Sequence, residues 1–306
     1  MKRLAAALRS PAVKVVFLVV ALGFAAWFVA SNWGQIVAAL AGMPPWTIAV
    51  SAAASIAYVV LTLLAWRAVL ADLGHPLAPR PSLALFGVSQ LGKYIPGGVW
   101  NIAAAADLGR AHLIPARRSV AAMSVAVLIS LVSGVVVGAI GFLVAPTPAL
   151  AEWAWVMWAG LPLLVLLLPP VMNRLLALLW RVLRLAPLDT AFTSRGIGIA
   201  TGWSLLAWVA AGLSVAALAV GLGAPPSLST IVQGTGGYAL AWVAGFVVVF
   251  APAGAGVREL VLAAALGGTL PSVAIVALVL ASRVVLTAVD LVVAGAGVAA
   301  ARRERA

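Results

Sequence analysis

Leu91-Gly92-Lys93-Tyr94-Ile95-Pro96-Gly97-Gly98-Val99-Trp100-Asn101 places a cation, a proline and three glycines inside an apolar segment that would be one unbroken helix if it simply crossed a bilayer. Proline removes a backbone donor, and glycine lowers the cost of leaving helical geometry. At membrane depth such backbone persists only where it is buried in protein or lines a cavity. The stretch therefore reads as a broken helix and as a candidate site. Far downstream, Ala251-Pro252-Ala253-Gly254-Ala255-Gly256-Val257-Arg258-Glu259 repeats the same grammar: a Pro/Gly break followed by ionisable residues in an apolar segment. Gly92, Gly98, Pro252, Gly254 and Gly256 are read as the structural breaks of a related pair of elements.

Composition agrees with a bilayer setting. The 306 residues are 65% hydrophobic and 8% charged, with a mean hydropathy of +1.18, more apolar surface than a soluble domain can hide. Apolar runs of roughly 20 residues recur along the whole chain, which fits a polytopic membrane protein of one domain, 1–306. The absence of cysteine removes disulfide, zinc-thiolate and cysteine-nucleophile readings. A net charge of +12 would suggest nucleic acid in a soluble protein. Here, apart from Lys93, Arg258 and Arg283, the basic residues cluster in alternate loops, so the basicity is a topology signal and no nucleic acid is expected.

Taken in order, a basic lead-in (Lys2, Arg3, Arg9, Lys14) precedes an apolar run from Val15 to Ala30. The run is long for the core of a signal peptide, despite the cleavage-like Val29-Ala30-Ser31, and is read as the first span. A second span covers about Trp46 to Leu70, and a third about Ser119 to Val144, where Gly134-x-x-x-Gly138 permits close helix approach. Trp153, Trp155 and Trp158 resemble an interfacial belt opening a fourth span, which ends near Val171 before a loop rich in arginine (Arg174, Arg181, Arg184, Arg195). A fifth span runs from Gly196 to Leu222 and a sixth from Ser272 to Val298. The interrupted segment from Ser82 to Asp107 has basic loops at both ends, so it dips in from the inside and returns. The segment from Leu228 to Leu266 has uncharged flanks and enters from outside, if Leu228–Phe250 is half a hairpin and not a full crossing.

The resulting expectation is an all-α membrane protein with about six full transmembrane helices and two re-entrant broken hairpins in an inverted-topology repeat, 12–144 and 153–298. Secondary transporters use such repeats to build a substrate site from discontinuous helices near the midplane.

With those residues read, the chain resembles the lysylphosphatidylglycerol synthase transmembrane family, a flippase-like domain found alone or fused to an aminoacyl-lipid synthase. Gly92-Lys93-Tyr94-Ile95-Pro96-Gly97 and Pro252-Ala253-Gly254-Ala255-Gly256-Val257-Arg258-Glu259 carry the likeness, in the family's order and wide separation. Ala253, Ala255 and Gly98 depart from its pattern. The resemblance implies a bacterial cell membrane location, a lipid substrate moved between leaflets, or a non-catalytic role beside a separate lipid-modifying or glycosyltransferase enzyme. No synthase domain is attached to this chain, and no Ser/His/Asp set, HExxH or carboxylate pair of convincing spacing marks an enzyme. Neither a metal nor a cofactor is expected.

The substrate-binding candidates are Lys93, Tyr94, Pro96, Gly97, Asn101, Arg258, Glu259 and Arg283. Lys93 and Arg258 sit at the breaks, where two cations and two half-helix N-termini would meet a lipid phosphate halfway across. The structural alternative pairs Arg258 with Glu259, and Lys93 with Asp107, merely to hold the hairpins. Glu259 would equally suit a cationic headgroup or a proton. Arg283 lies mid-span and needs a partner, and Asp290, seven residues on, shares its helix face. Asp72 with His75, and Asp107 with His112, read as solvated loop residues.

The charge pattern places both termini in the cytoplasm and loops 32–45, 145–152 and 223–227 outside. A cysteine introduced at Ser227 of this cysteine-free chain should react with an impermeant thiol reagent from outside; labelling only from the cytoplasm would reverse the assignment.

Overall fold

The computed structural model describes residues 30, 33–94, 100–147, 151, 155, 158, 160–182, 189–248 and 256–305. The described residues are helical with no strand. In chain order they form α1 (Trp33–Ala41), α2 (Pro45–Asp72), α3 (Pro79–Ser89), a 3₁₀ segment (Gln90–Tyr94), α4 (Trp100–Gly109), α5 (Ala116–Val144), α6 (Pro169–Val182), α7 (Ser194–Gly221), α8 (Leu228–Val247), α9 (Val257–Leu266) and α10 (Ser272–Arg305). The residues of the expected first span up to 29 lie outside the described set, as do Pro96, Gly97, Gly98, Pro252 and Gly254.

Helices α2, α5, α7 and α10 are long and apolar enough to cross a membrane. Their starts follow local chemistry. Prolines occupy the opening of α2 and α3, where the missing N–H is not needed. Thr193 caps α7 by accepting from Gly196 N at 3.1 Å, and Ser227 caps α8 by accepting from Thr230 N at 3.2 Å.

The expected fourth span is not a straight helix. A 3₁₀ segment, Leu161–Leu167, meets α6 at 79°, so the pair is at most one broken span. The region around Arg174 and Arg181, expected to be loop, is helical. Its Met172, Leu176 and Trp180, spaced by four, are buried while both arginines are exposed. Proline at 169 and 170 ends the preceding segment, and the four-residue apolar stripe then selects a helix against the bundle.

The end of the molecule where α2 finishes and α7 begins is basic. There Asp72 accepts from Thr193 N at 2.7 Å and from Thr193 Oγ1 at 2.6 Å, so the last residue of α2 fixes the cap of α7. Arg118 donates to Leu73 O at 3.2 Å and contacts His75 Nε2 at 2.8 Å, and Arg117 pairs with Asp189. Asp72 and His75 are thus interhelical fasteners, correcting their reading as free loop residues. Asp107, by contrast, faces only Arg110 at 3.9 Å with both side chains largely exposed. Burial first, and Arg118 second, push the His75 pKa below its ordinary value. Its neutral form therefore supports the fold fully above the unfolded-state pKa, about 6.5, and that support fades as pH falls below it.

In each interrupted segment the two described limbs pack against one another. In the first, α3 and α4 pack together, and a Cβ on Gly92 would lie 2.5 Å from Asn101 N, so the limbs touch backbone to backbone next to the break. The start of α3 lies beside the end of α10, where Gly297 meets Leu83 and Ala84, placing the open end of this hairpin on the basic side. In the second, α8 and α9 pack together and Thr269 bonds Gln233 at 2.6 Å, so the chain returns to the uncharged end from which α8 set out.

How far α8 penetrates follows from its register on α5. Gly141 faces Gly236, Gly138 faces Leu240 and Gly134 faces Val243. At that rate Val247 comes level with the middle of the 29-residue α5. Helix α8 ends there, short of the far end of α5. Gly134 and Gly138 are, as expected, a close-approach surface, extended by Gly141.

A Cβ on Gly141 would sit 2.7 Å from Gly236 Cα, with backbone on both sides, whereas Gly198 has nothing within 4 Å. Gly141→Val should therefore lower thermal stability in detergent by at least the ~1–3 kcal/mol of an overpacked core. Gly198→Ala, which only removes glycine's helix penalty, should be neutral or stabilising by up to about 1 kcal/mol.

Candidate substrate-binding cavity

Helix α10 organises the interior through two ionisable residues near its middle, Arg283 and Asp290. They do not pair with each other as expected. Lys93 Nζ lies 2.7 Å from Asp290 Oδ2 and donates to Oδ1 at 2.9 Å, while Tyr94 OH donates to Oδ2 at 2.5 Å. The Asp290 side chain is 0% exposed. Arg283 instead donates through Nε to Glu259 Oε1 at 2.6 Å, with Nη2 at 2.5 Å from the same oxygen. The other oxygen, Glu259 Oε2, accepts from Gly256 N at 2.6 Å. Gly256, the residue before α9, has φ +88°, a conformation that suits glycine. The alternative partners Asp107 for Lys93 and Glu259 for Arg258 are likewise replaced by these pairs.

The local logic is direct. The sequence placed Arg283 and Asp290 on one inward face, which is correct. A residue seven positions away on the same helix is about 10 Å distant by the helical rise, too far for an ion pair. Residues beside the two breaks, Lys93 in the first segment and Glu259 in the second, bring opposite charges within contact distance.

Arg258 is held differently. Its guanidinium carbon lies 4.5 Å from the centroid of the Tyr238 ring, a cation–π contact. Tyr238 packs in turn against Tyr58 at 6.0 Å and Trp208 at 6.4 Å, and Trp208 against Trp242 at 5.5 Å. Trp242 and Phe246, four residues apart on α8, stack at 5.5 Å with an interplanar angle of 15°.

These groups surround a cavity of about 150 Å³. Its lining includes the polar residues Lys93, Tyr94, Asn101, Arg258, Arg283 and Thr287. It also includes the aromatic residues Tyr58, Trp66, Phe86, Trp208, Trp242 and Phe246. Ser130 and Ser204 also reach the cavity; Ser204 bonds Ser133 at 2.9 Å, and Ser133 accepts from Trp208 Nε1 at 3.0 Å. The cavity falls between two apolar clusters, one built around Trp66 and the other around Trp208.

Of the candidates named from sequence, Lys93, Tyr94, Asn101, Arg258 and Arg283 line the cavity, and Glu259 adjoins it through Arg283. Sequence reading missed Asp290 as the partner of Lys93 and Tyr94, and missed the aromatic lining. One signal was available: the chain has only three tyrosines. Tyr58 and Tyr94 line the cavity and Tyr238 lies against Arg258. A phenol in mid-span carries a hydroxyl that water cannot satisfy, so each marked a polar interior.

The profile of the family described as "Lysylphosphatidylglycerol synthase TM region" matches residues 12–294. The chain belongs to this family. Both hairpins and the whole cavity fall inside the matched range, and membership brings a membrane, lipid-related role. The chain matches no curated protein and no solved structure.

Removing one member of a buried ion pair leaves the other uncompensated. Lys93→Ala should destabilise the fold by about 3 kcal/mol, the low end for a broken buried pair, because Asp290 is fully enclosed. Lys93→Met combined with Asp290→Leu should recover most of that loss in a thermal unfolding assay. A double variant no more stable than Lys93→Ala would show that the pair itself is not the source of the cost.

Proposed function

We propose that this protein moves a phosphate-bearing lipid, of phospholipid or polyprenyl-phosphate type, between the leaflets of a bacterial cell membrane. The observation that carries the reading is the interior cavity, lined both by cations and hydrogen-bond donors and by aromatic rings. A phosphate faces a prohibitive desolvation cost in hydrocarbon, which fixed cations and donors offset. A chamber lined by both kinds of group suits a molecule with a charged head and an apolar remainder. The family's membership among lipid-related membrane regions agrees with this.

On this reading Lys93, Tyr94, Asn101, Arg258 and Arg283 contact the head, with Glu259 holding Arg283. Pro96 and Gly97, named from the sequence, would shape the entry. The packing pattern also supports an inverted repeat. Helix α3 of the first hairpin packs on α10, the last helix of the second half, and α8 of the second hairpin packs on α5, the last helix of the first. Helices α2 and α7 face each other between them. Repeats 12–144 and 153–298 related in this way would expose the same cavity alternately to either side. Both termini would be cytoplasmic, and a separate lipid-modifying or glycosyltransferase enzyme would supply or use the lipid.

The test is flipping by the purified protein in liposomes, followed with acyl-labelled phosphatidylglycerol and a membrane-impermeant quencher. Protein should raise the flipping rate above that of empty liposomes. Arg258→Ala should reduce the gain by at least about tenfold, the loss of one charge-assisted contact, without changing thermal stability as Lys93→Ala does. Wild-type rates equal to those of empty liposomes for phosphatidylglycerol and for a polyprenyl phosphate would defeat the reading.

A further inference from the structure

Resting on that reading, we infer that the cavity accepts a head with a singly charged phosphate, a phosphodiester, over a doubly charged phosphomonoester, and that Arg258 is the cation that receives it.

The argument is a charge count at half depth. Three cations reach the cavity region, Lys93, Arg258 and Arg283, and two carboxylates, Glu259 and Asp290. Tips 95–99 and 249–255 contain no ionisable residue, so they do not alter the count. Both carboxylates are fully engaged. The two oxygens of Asp290 serve Lys93 and Tyr94, and those of Glu259 serve Arg283 and Gly256 N. Arg258 rests on the Tyr238 ring and, among the described residues, forms no ion pair with a carboxylate. An aromatic ring attracts a cation through its quadrupole but carries no net charge to cancel it. Three positive charges against two negative leave one positive charge beside the cavity.

A ligand with one negative charge brings the interior to neutrality, and a second negative charge overshoots it in a medium where uncompensated charge is expensive. A planar guanidinium also matches two phosphate oxygens in a bidentate arrangement, which a phosphodiester offers with its single charge shared between them. A phosphomonoester acquires its second charge with a pKa of about 6, so its charge at the site is set by pH.

The experiment compares acyl-labelled phosphatidylglycerol and acyl-labelled phosphatidic acid in liposomes containing the wild-type protein, at about pH 8 and about pH 5.5, on either side of the phosphomonoester's second pKa. At the higher pH the phosphodiester lipid should flip at least about tenfold faster, and at the lower pH the gap should narrow by several-fold, because only the phosphomonoester changes charge. The phosphodiester rate should be flat between the two. Glu259→Gln, which makes the interior count two positive charges, should move the preference toward phosphatidic acid at the higher pH. The wild-type comparison stands without this variant if it fails to fold. Faster flipping of phosphatidic acid at the higher pH, or an unchanged ratio across pH, would overturn the inference while leaving lipid transport in place. Flipping of neither lipid would instead remove the transport reading on which it rests.

Discussion

An ionised side chain in the hydrocarbon layer cannot be left alone, and α10 carries two of them about two turns apart. Asp290 is completely enclosed, so Lys93 and Tyr94 must come to it from the first hairpin. Arg283 draws Glu259 from the second. One helix thus fixes where Lys93, Tyr94 and Glu259 sit. Buried ion pairs are weak contributors to net stability once desolvation is charged against them, but they are strict about position, since a slipped partner strands a charge. The register of the whole interior follows from these two pairs.

That register explains why broken backbone is tolerated where it is. Free backbone groups beside the breaks need partners other than water. Glu259 supplies one by accepting from Gly256 N while it also holds Arg283. The close contact of Gly92 with the backbone of Asn101 brings the limbs of the first hairpin together beside its break. Elsewhere the packing is of a different kind. Rings on α2, α7 and α8 stack and cross at 5.5 to 6.4 Å, and hydroxyls such as those of Ser51, Ser55 and Ser214 satisfy one another across helices at 2.8 and 2.9 Å. The cavity is lined by groups of both kinds, those fixed by charge and those fixed by ring packing.

Much of this was legible in the chain because bilayer sequences punctuate plainly. Proline and glycine inside apolar runs mark Gly92 and Gly256 as breaks whatever the tertiary structure does. The charge of the flanking loops distinguishes a hairpin entering from one end from a hairpin entering from the other. Partnerships were less legible. Arg283 and Asp290 share a face, and same-face reasoning joins them, but a contact between helices is shorter than any contact seven residues apart on one helix. The Asp72 and His75 fasteners were hidden for the same reason: their partners Thr193 and Arg118 are far away in sequence. Helix α6 did carry its own signal in Met172, Leu176 and Trp180, which the neighbouring arginines obscured. In a chain that is 65% hydrophobic, apolar periodicity says little about which face is inside, so Trp208 and Trp242 looked like any other membrane-embedded rings.

The distribution of charge then takes two separate forms within one small set of ionisable residues. At the basic end, arginines outnumber acids and several of them, such as Arg110, are largely exposed, where number and sign matter more than exact position. At half depth each ionisable residue has a specific contact: Lys93 with Asp290, Arg283 with Glu259, and Arg258 with the face of Tyr238. Apart from the fasteners formed by Asp72, Arg117 and Arg118, charge at the ends can be redistributed among neighbouring positions without stranding anything, because water and lipid headgroups share the work. Charge in the interior cannot, because every change of sign there must be answered by another residue or by whatever enters the cavity. Five interior residues, Lys93, Arg258, Glu259, Arg283 and Asp290, are therefore each tied to a particular partner.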